Sequence, residues 1–306
     1  MSHFTVMVIG DDVAAALAPF HEFECTGEND KYVQDVDVTE ELNVKEGATM
    51  EEIVDALGSY GLEESIVDDE SKVDTVGDKC KHKYGYAIVK DGVLIKAVNR
   101  TNPNRKWDWY QVGGRWSGFL QVKPGAAGEM GQRSWMNRGQ PTDPNTCDSA
   151  LKKDIDFEGM RSKAGDEAAK RWDEAHAIIK GRTWITWQEA QGLVFAPLEG
   201  QDVWEQRRAF YNAQAALIDL RKDFSNPFLD LDEYLTPREK FIQDARNGAI
   251  STFAVLKDGV WYERGDMGWW GMVSDEKDKS EWVNQIASLL DELSDDTRIS
   301  IVDCHI

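Results

Sequence analysis

Residues 84–98 read YGYAIVKDGVLIKAV, two β-branched and aromatic runs on either side of Asp91-Gly92. Asp-Gly accepts the positive backbone angles of a two-residue turn, so this stretch predicts an antiparallel hairpin. The pattern returns at 253–263, FAVLKDGVWYE, which aligns with YAIVKDGVLIK (86–96) without a gap. Each copy is followed by an aromatic and glycine cluster, GRWSGF after the first and MGWWGM after the second, which sets Trp116 against Trp269. Two Asp-Gly hairpins can be alike by chance; the reading preferred here is an internal duplication, which predicts two equivalent hairpins sharing one sheet.

Working outward, HFTVMVIG (3–10) reads as an N-terminal strand and RISIVDCHI (298–306) as a C-terminal strand of buried type. TMEEIVDALGSYG predicts a helix opened by a capping box, Thr49 with Glu52. Between the copies the pattern turns helical. One helix is expected over 164–181, and another over 202–224 with Val203, Phe210, Leu217 and Phe224 on one apolar face. A third should be opened by Thr236, Pro237 and Glu239, and a fourth, 278–293, should turn Trp282, Ile286, Leu289, Leu290 and Leu293 inward. The fold class this implies is α+β: a mainly antiparallel sheet with N- and C-terminal strands, two repeated hairpins and an inserted helical region. The 306 residues are expected to form one domain with the helical insertion at about 150–248; the alternative is a split near 150 into two domains.

Four scattered cysteines and a start without a basic, apolar leader predict reduced thiols and a cytosolic chain, and no apolar run approaches the roughly 20 residues that span a bilayer. The net charge of −21 argues against direct binding of nucleic acid. The charge is uneven. Between His21 and Asp78 nineteen Asp and Glu stand against three Lys, whereas between Ile88 and Arg138 nine Lys and Arg stand against three acids.

The segments MSHFTVMVIG, DWYQVGGRWSGFL, GWWGMVSDEKD and the terminal VDCHI resemble an uncharacterised family of proteins from tailed bacteriophages, over the whole chain. The resemblance implies a context, the cytoplasm of an infected bacterial host where accessory proteins block host machinery. It carries over no catalytic or binding residue.

No Gly-x-x-x-x-Gly-Lys-Ser/Thr, Gly-x-Gly-x-x-Gly, His-Glu-x-x-His or Gly-x-Ser-x-Gly occurs. The sharpest candidate is aromatic. Trp107, Trp109, Tyr110, Arg115 and Trp116, with Trp269 and Trp270 from the second cluster, can form a pocket in which flat rings stack a base or sugar and Arg115 grips an anion. Strand alternation would put Trp107 and Trp109 on one face and Asp108 and Tyr110 on the other. The competing reading is core packing, with Arg115 paired to Asp108. Three short donor pairs, His21 with Cys25, Cys80 with His82 and Cys304 with His305, are of the kind zinc takes, and pairing of the terminal strands would gather His3 and His305. None has a diagnostic spacing, so no cofactor is predicted.

Two functions follow. The first is an accessory protein, not an enzyme, that binds and inhibits a host protein of basic surface, such as a defence protein, through an acidic face with Glu63, Glu64, Asp68, Asp69 and Glu70. The second is an enzyme or binder of a nucleotide-like or other anionic small molecule in the aromatic and Arg115 pocket.

Overall fold

The computed structural model describes residues 2–22, 25–26, 30–141, 143–194, 202–268 and 271–306. In chain order the first elements are β1 (His3–Ile9), α1 (Val13–Leu17), β2 (Gln34–Asp37), α2 (Met50–Gly58), β3 (Ile66–Val67), β4 (Gly85–Lys90) and β5 (Val93–Thr101). Then come β6 (Trp109–Gly114), β7 (Leu120–Gln121), β8 (Gln132–Arg133), β9 (Thr146–Cys147), β10 (Ser149–Leu151), α3 (Phe157–Ile179), α4 (Trp187–Gly192), α5 (Val203–Asn212), α6 (Ala215–Asp223) and α7 (Arg238–Gly248). The chain closes with β11 (Ala254–Lys257), β12 (Val260–Glu263), β13 (Asp266–Met267), β14 (Val273–Ser274), α8 (Lys279–Asp291) and β15 (Arg298–His305). This is an α+β fold. It divides into two compact units, one of 1–155, 252–282 and 288–306, the other of 156–251 and 283–287.

The first unit holds a seven-stranded sheet in the order β12-β11-β1-β15-β6-β8, with β10 also paired to β15. The two chain ends form its middle. β1 and β15 run antiparallel from His3 opposite His305 to Ile9 opposite Ile299, while β1 with β11 and β6 with β8 are parallel. Period-two alternation separates the faces. Phe4, Val6 and Val8 of β1, Val302 and Cys304 of β15, and Tyr110 and Val112 of β6 pack with Leu17, Phe20, Trp107, Phe253 and Leu256. Each buried side chain of this size contributes about 1.5–3 kcal/mol. His3 and Thr5, Asp303 and His305, and Trp109 and Gln111 occupy the opposite face.

Both predicted hairpins form, and both turn on residues with positive φ: Asp91 at 50° and Gly92 at 77°, Asp258 at 53° and Gly259 at 75°. They do not share a sheet. β4 and β5 belong to a separate four-stranded sheet, β2-β5-β4-β3, whereas β11 and β12 edge the seven-stranded one. Their registers differ too, because Ile88 opposes Lys96 across a bulge while the aligned Val255 opposes Tyr262 in a regular ladder. Trp269, the expected counterpart of Trp116, lies outside the described residues. The likeness is therefore local, set by the Lys-Asp-Gly-Val turn. The Thr49 and Glu52 capping box forms as expected, and Ile53 and Leu57 of α2 are buried with Leu62, Ala87 and Ala97.

The second unit is helical around Tyr211, Leu217, Leu220, Leu231, Tyr234 and Phe241. Residues 202–224 form two helices instead of one. Gln214 breaks the run: its side-chain oxygen accepts from Ile185 N at 2.7 Å and its amide donates to Ile185 O at 3.1 Å. The sevenfold face is lost with the break, so Val203 and Phe210 are exposed and Tyr211 is the buried ring. Helix α7 starts at Arg238, without the capping box expected of Thr236 and Glu239; the Thr236 carbonyl instead accepts the Trp172 indole N–H at 3.0 Å. In α8, whose two ends belong to the first unit, Trp282, Ile286, Leu289 and Leu290 are buried and Asp278 caps the start, while Leu293, expected to turn inward, lies past the helix end and is only half-buried. Among the described residues no helix is long and apolar enough to cross a membrane.

Candidate functional site

The segment VGGRWSG (112–118) closes on two buried carboxylates. Gly113 and Gly114 both have positive φ, 80° and 56°. A Cβ on Gly113 would collide with the carboxylate of Asp148, and one on Gly114 with the Cβ and carboxylate of Asp303. Asp148 is fully buried and accepts hydrogen bonds from Gly131 N at 2.8 Å, Ser117 Oγ at 3.1 Å and Gly118 N. Asp303, 1% exposed, accepts from Arg115 N at 2.9 Å through Oδ2. Burying a carboxylate without donors costs several kcal/mol, and these backbone amides supply them. The two glycines are thus explained by the protein's own carboxylates, with no ligand needed to account for their close approach.

The other oxygen of Asp303 accepts from His3 Nδ1 at 2.7 Å. One strand over, His305 Nδ1 donates to Asp108 Oδ1 at 2.6 Å. The register sets His3, His305 and Trp109 side by side in one row across β1, β15 and β6. The two imidazoles meet edge to face with centroids 4.9 Å apart, and the Trp109 ring lies 6.2 Å from His3. An ionised carboxylate only accepts, so each Nδ1 carries a hydrogen and each neutral ring keeps its lone pair at Nε2. Among the described residues neither Nε2 has a hydrogen-bond partner. The side chains of His3 and His305 keep 17% and 13% exposure, and Trp109 is 48% exposed. The row thus presents two oriented, mostly buried imidazoles beside an exposed indole.

The aromatic candidates divide. Trp107 is core: it is buried, its indole donates to Leu17 O at 3.1 Å, and it packs against His21 at 4.4 Å and Tyr110 at 5.0 Å. The expected alternation fails because β6 begins only at Trp109, with Trp107 in an isolated bridge to His21. Trp107 and Tyr110 therefore share the apolar side and Trp109 faces away. Trp116 is half-buried in the turn after β6, and Trp270, like Trp269, lies outside the described residues. Arg115 does not pair with Asp108, whose Oδ1 is taken by His305; its side chain is exposed and makes no ion pair among the described residues.

The zinc-type pairs do not converge. His21 Nε2 lies 3.1 Å from Asp108 O, and Cys25 Sγ donates to Arg100 O at 3.0 Å. His82 is buried with Nδ1 accepting from Asp74 N at 2.9 Å, and Cys80 is half-buried nearby in sequence. Cys304 is in the apolar core while its strand neighbour His305 is on the other face, so the two cannot chelate one ion. Among the described residues no group of three or more His, Cys, Asp or Glu is placed to hold a metal ion. The expected meeting of His3 and His305 does occur.

Glu63, Glu64, Asp68, Asp69 and Glu70 are all exposed around β3. Lys72 pairs with Asp68 at 2.6 Å and Lys96 approaches Glu70 at 3.8 Å. Further along the acidic segment Arg100 of β5 reaches Asp30 at 3.5 Å and Asp35 at 2.9 Å.

Asp303 and Asp148 were not legible as site residues. The signal for Asp303 was spacing: in VDCHI it stands two residues before His305, hence on the same strand face. Asp148 carries no such signal, because the contacts that bury it come from the distant segments 117–118 and 131. Comparison of the chain with family models, with curated proteins and with solved structures returned no match.

Proposed function

We propose that this protein binds a small anionic, nucleotide-like molecule on the row His3, His305 and Trp109, with Arg115 as the cation. The observation that carries this reading is the pair of imidazoles, each fixed through Nδ1 by a carboxylate and, among the described residues, each without a partner at Nε2, beside an exposed indole. On protonation each ring turns its Nε2 into an N–H donor, which with a guanidinium suits phosphate oxygens, and an indole face suits a base. The concentrated acidity elsewhere disfavours a long polyanion, so the ligand is small. Calorimetric titration with adenosine 5′-monophosphate tests the reading, with saturable binding expected and weakened by Trp109→Ala and by Arg115→Ala. Heat that does not saturate, or binding that both variants retain, refutes it.

A second reading is an accessory protein made in a phage-infected cytoplasm, binding and inhibiting a basic host protein through Glu63, Glu64, Asp68, Asp69 and Glu70. It is supported by the exposure of all five carboxylates. Such association is steered at long range and fades as salt shortens the Debye length from about 10 Å at 0.1 M to about 3 Å at 1 M. Capture from bacterial lysate with the five residues changed to amides, at low and high salt, tests it; an unchanged captured set refutes it.

A further inference from the structure

We infer that His3 and His305 are an acid and base pair that cleaves a phosphodiester of a small nucleotide without a metal ion. The inference rests on the ligand reading above and adds a reaction to it. Two features separate this pair from ordinary surface histidines. Each imidazole has Nδ1 bound to a carboxylate, at 2.7 Å for Asp303 and 2.6 Å for Asp108, which fixes both the tautomer and the ring orientation. The rings also touch edge to face, with centroids 4.9 Å apart, so the two oriented imidazoles stand as one pair.

Phosphodiester cleavage by water needs two proton movements in one step. Water attacks phosphorus and loses a proton to the neutral imidazole as the new P–O bond forms. The bond to the leaving alkoxide breaks as the second ring, entering as imidazolium, gives that oxygen its proton. The products are a phosphomonoester and an alcohol, the pair ends with its protonation states exchanged, and solvent resets it. No oxidant, reductant or further co-reactant is required. Arg115, whose backbone N–H is held by Asp303, supplies the cation for the non-bridging oxygens, and Trp109 supplies the stacking plane. Asp303 and Asp108 are positioning residues.

Two alternatives were weaker. In the cavity of about 420 Å³ lined by Val44, Ile53, Val93 and Leu94 the charged lining residues, Lys45 and Glu46, are both exposed. The exposed Val203, Trp204 and Phe210 of α5 form an apolar surface with nothing to say what covers it.

The test uses the full chain, bis(p-nitrophenyl) phosphate as substrate and adenosine 5′-monophosphate as binding probe, all in EDTA. Release of p-nitrophenolate by the wild type is expected. His3→Asn and His305→Asn should each lower kcat by about 100-fold or more, the usual reach of general acid–base catalysis. Each variant should still bind the monophosphate within about tenfold of wild type, which also shows that it is folded; the tenfold corresponds to one lost hydrogen bond of about 1.4 kcal/mol. Wild type that binds the monophosphate and releases no p-nitrophenolate overturns the catalytic inference and leaves the binding reading standing. Absence of both binding and turnover overturns both. Turnover that EDTA abolishes, or a variant that keeps the wild-type rate, also overturns the acid and base pair.

Discussion

A side chain on Gly114 would collide with Asp303, the buried carboxylate that orients His3. Gly114 has φ of 56°, so a substitution there adds steric overlap to backbone strain. Gly114→Ala should cost about 2–5 kcal/mol, of which about 1–2 is the left-handed backbone and about 1–3 is overpacking. Gly125→Ala, with φ of 79° and open space around it, should cost only the backbone part. Urea unfolding of both variants checks this; equal losses would mean that Asp303 does not constrain the glycine.

Arg115 offers the opposite expectation, because its guanidinium is exposed and its structural contact is made by its backbone N–H. Arg115→Ala should leave the melting temperature within a few degrees and weaken binding of adenosine 5′-monophosphate by about 10-fold or more, the size of a lost charged hydrogen bond. A melting temperature that falls by more than about 10 °C would give Arg115 a packing role instead.

The cysteines should react unequally. Burial, with the charge of Asp148 beside it, pushes the Cys147 thiol up to about 11, and burial pushes Cys304 well above the usual thiol range. At pH 8 the thiolate fraction of Cys147 is then on the order of 0.1%. Iodoacetamide followed by mass mapping should label half-buried Cys80 first, and Cys147 and Cys304 only at the rate of unfolding. The same shift makes stability pH-dependent. The unfolded thiol ionises near about 8.5, the folded Cys147 near about 11, and the folded state holds the extra proton between them. Stability is therefore fully present below the first value and falls as pH rises towards the second. A urea midpoint that rises from pH 8.5 to 10.5 would contradict this.

Changing Asp68, Asp69 and Glu70 to amides should leave the melting temperature within a few degrees, since their partners are exposed ion pairs and a short cap. Thermal melts check it, and a larger loss would place the segment in the folding core.

The hairpins, the terminal strands and the capping box of α2 were legible because each is a local signal of few residues. Sheet membership was not. Whether β4 and β11 share a sheet depends on which strand pairs beside each, β3 in one case and β1 in the other, and neither partner is encoded in the hairpin. The break at Gln214 was missed for the same reason, since the side chain that stops the helix is held by Ile185. At the site, His3 and His305 followed from pairing the chain ends. Their carboxylates did not, because Asp303 was hidden in an apolar strand and Asp108 was matched to the nearer Arg115.

Proton NMR of the five imidazoles during titration with adenosine 5′-monophosphate tests the central claim most directly. The account predicts that the His3 and His305 ring signals move together and saturate at one ligand per chain, while those of His82, held by the Asp74 backbone, and His176, stacked on Trp172, stay in place. Signals of His3 and His305 that do not move at saturating nucleotide, or that move no more than those of His82 and His176, would contradict it.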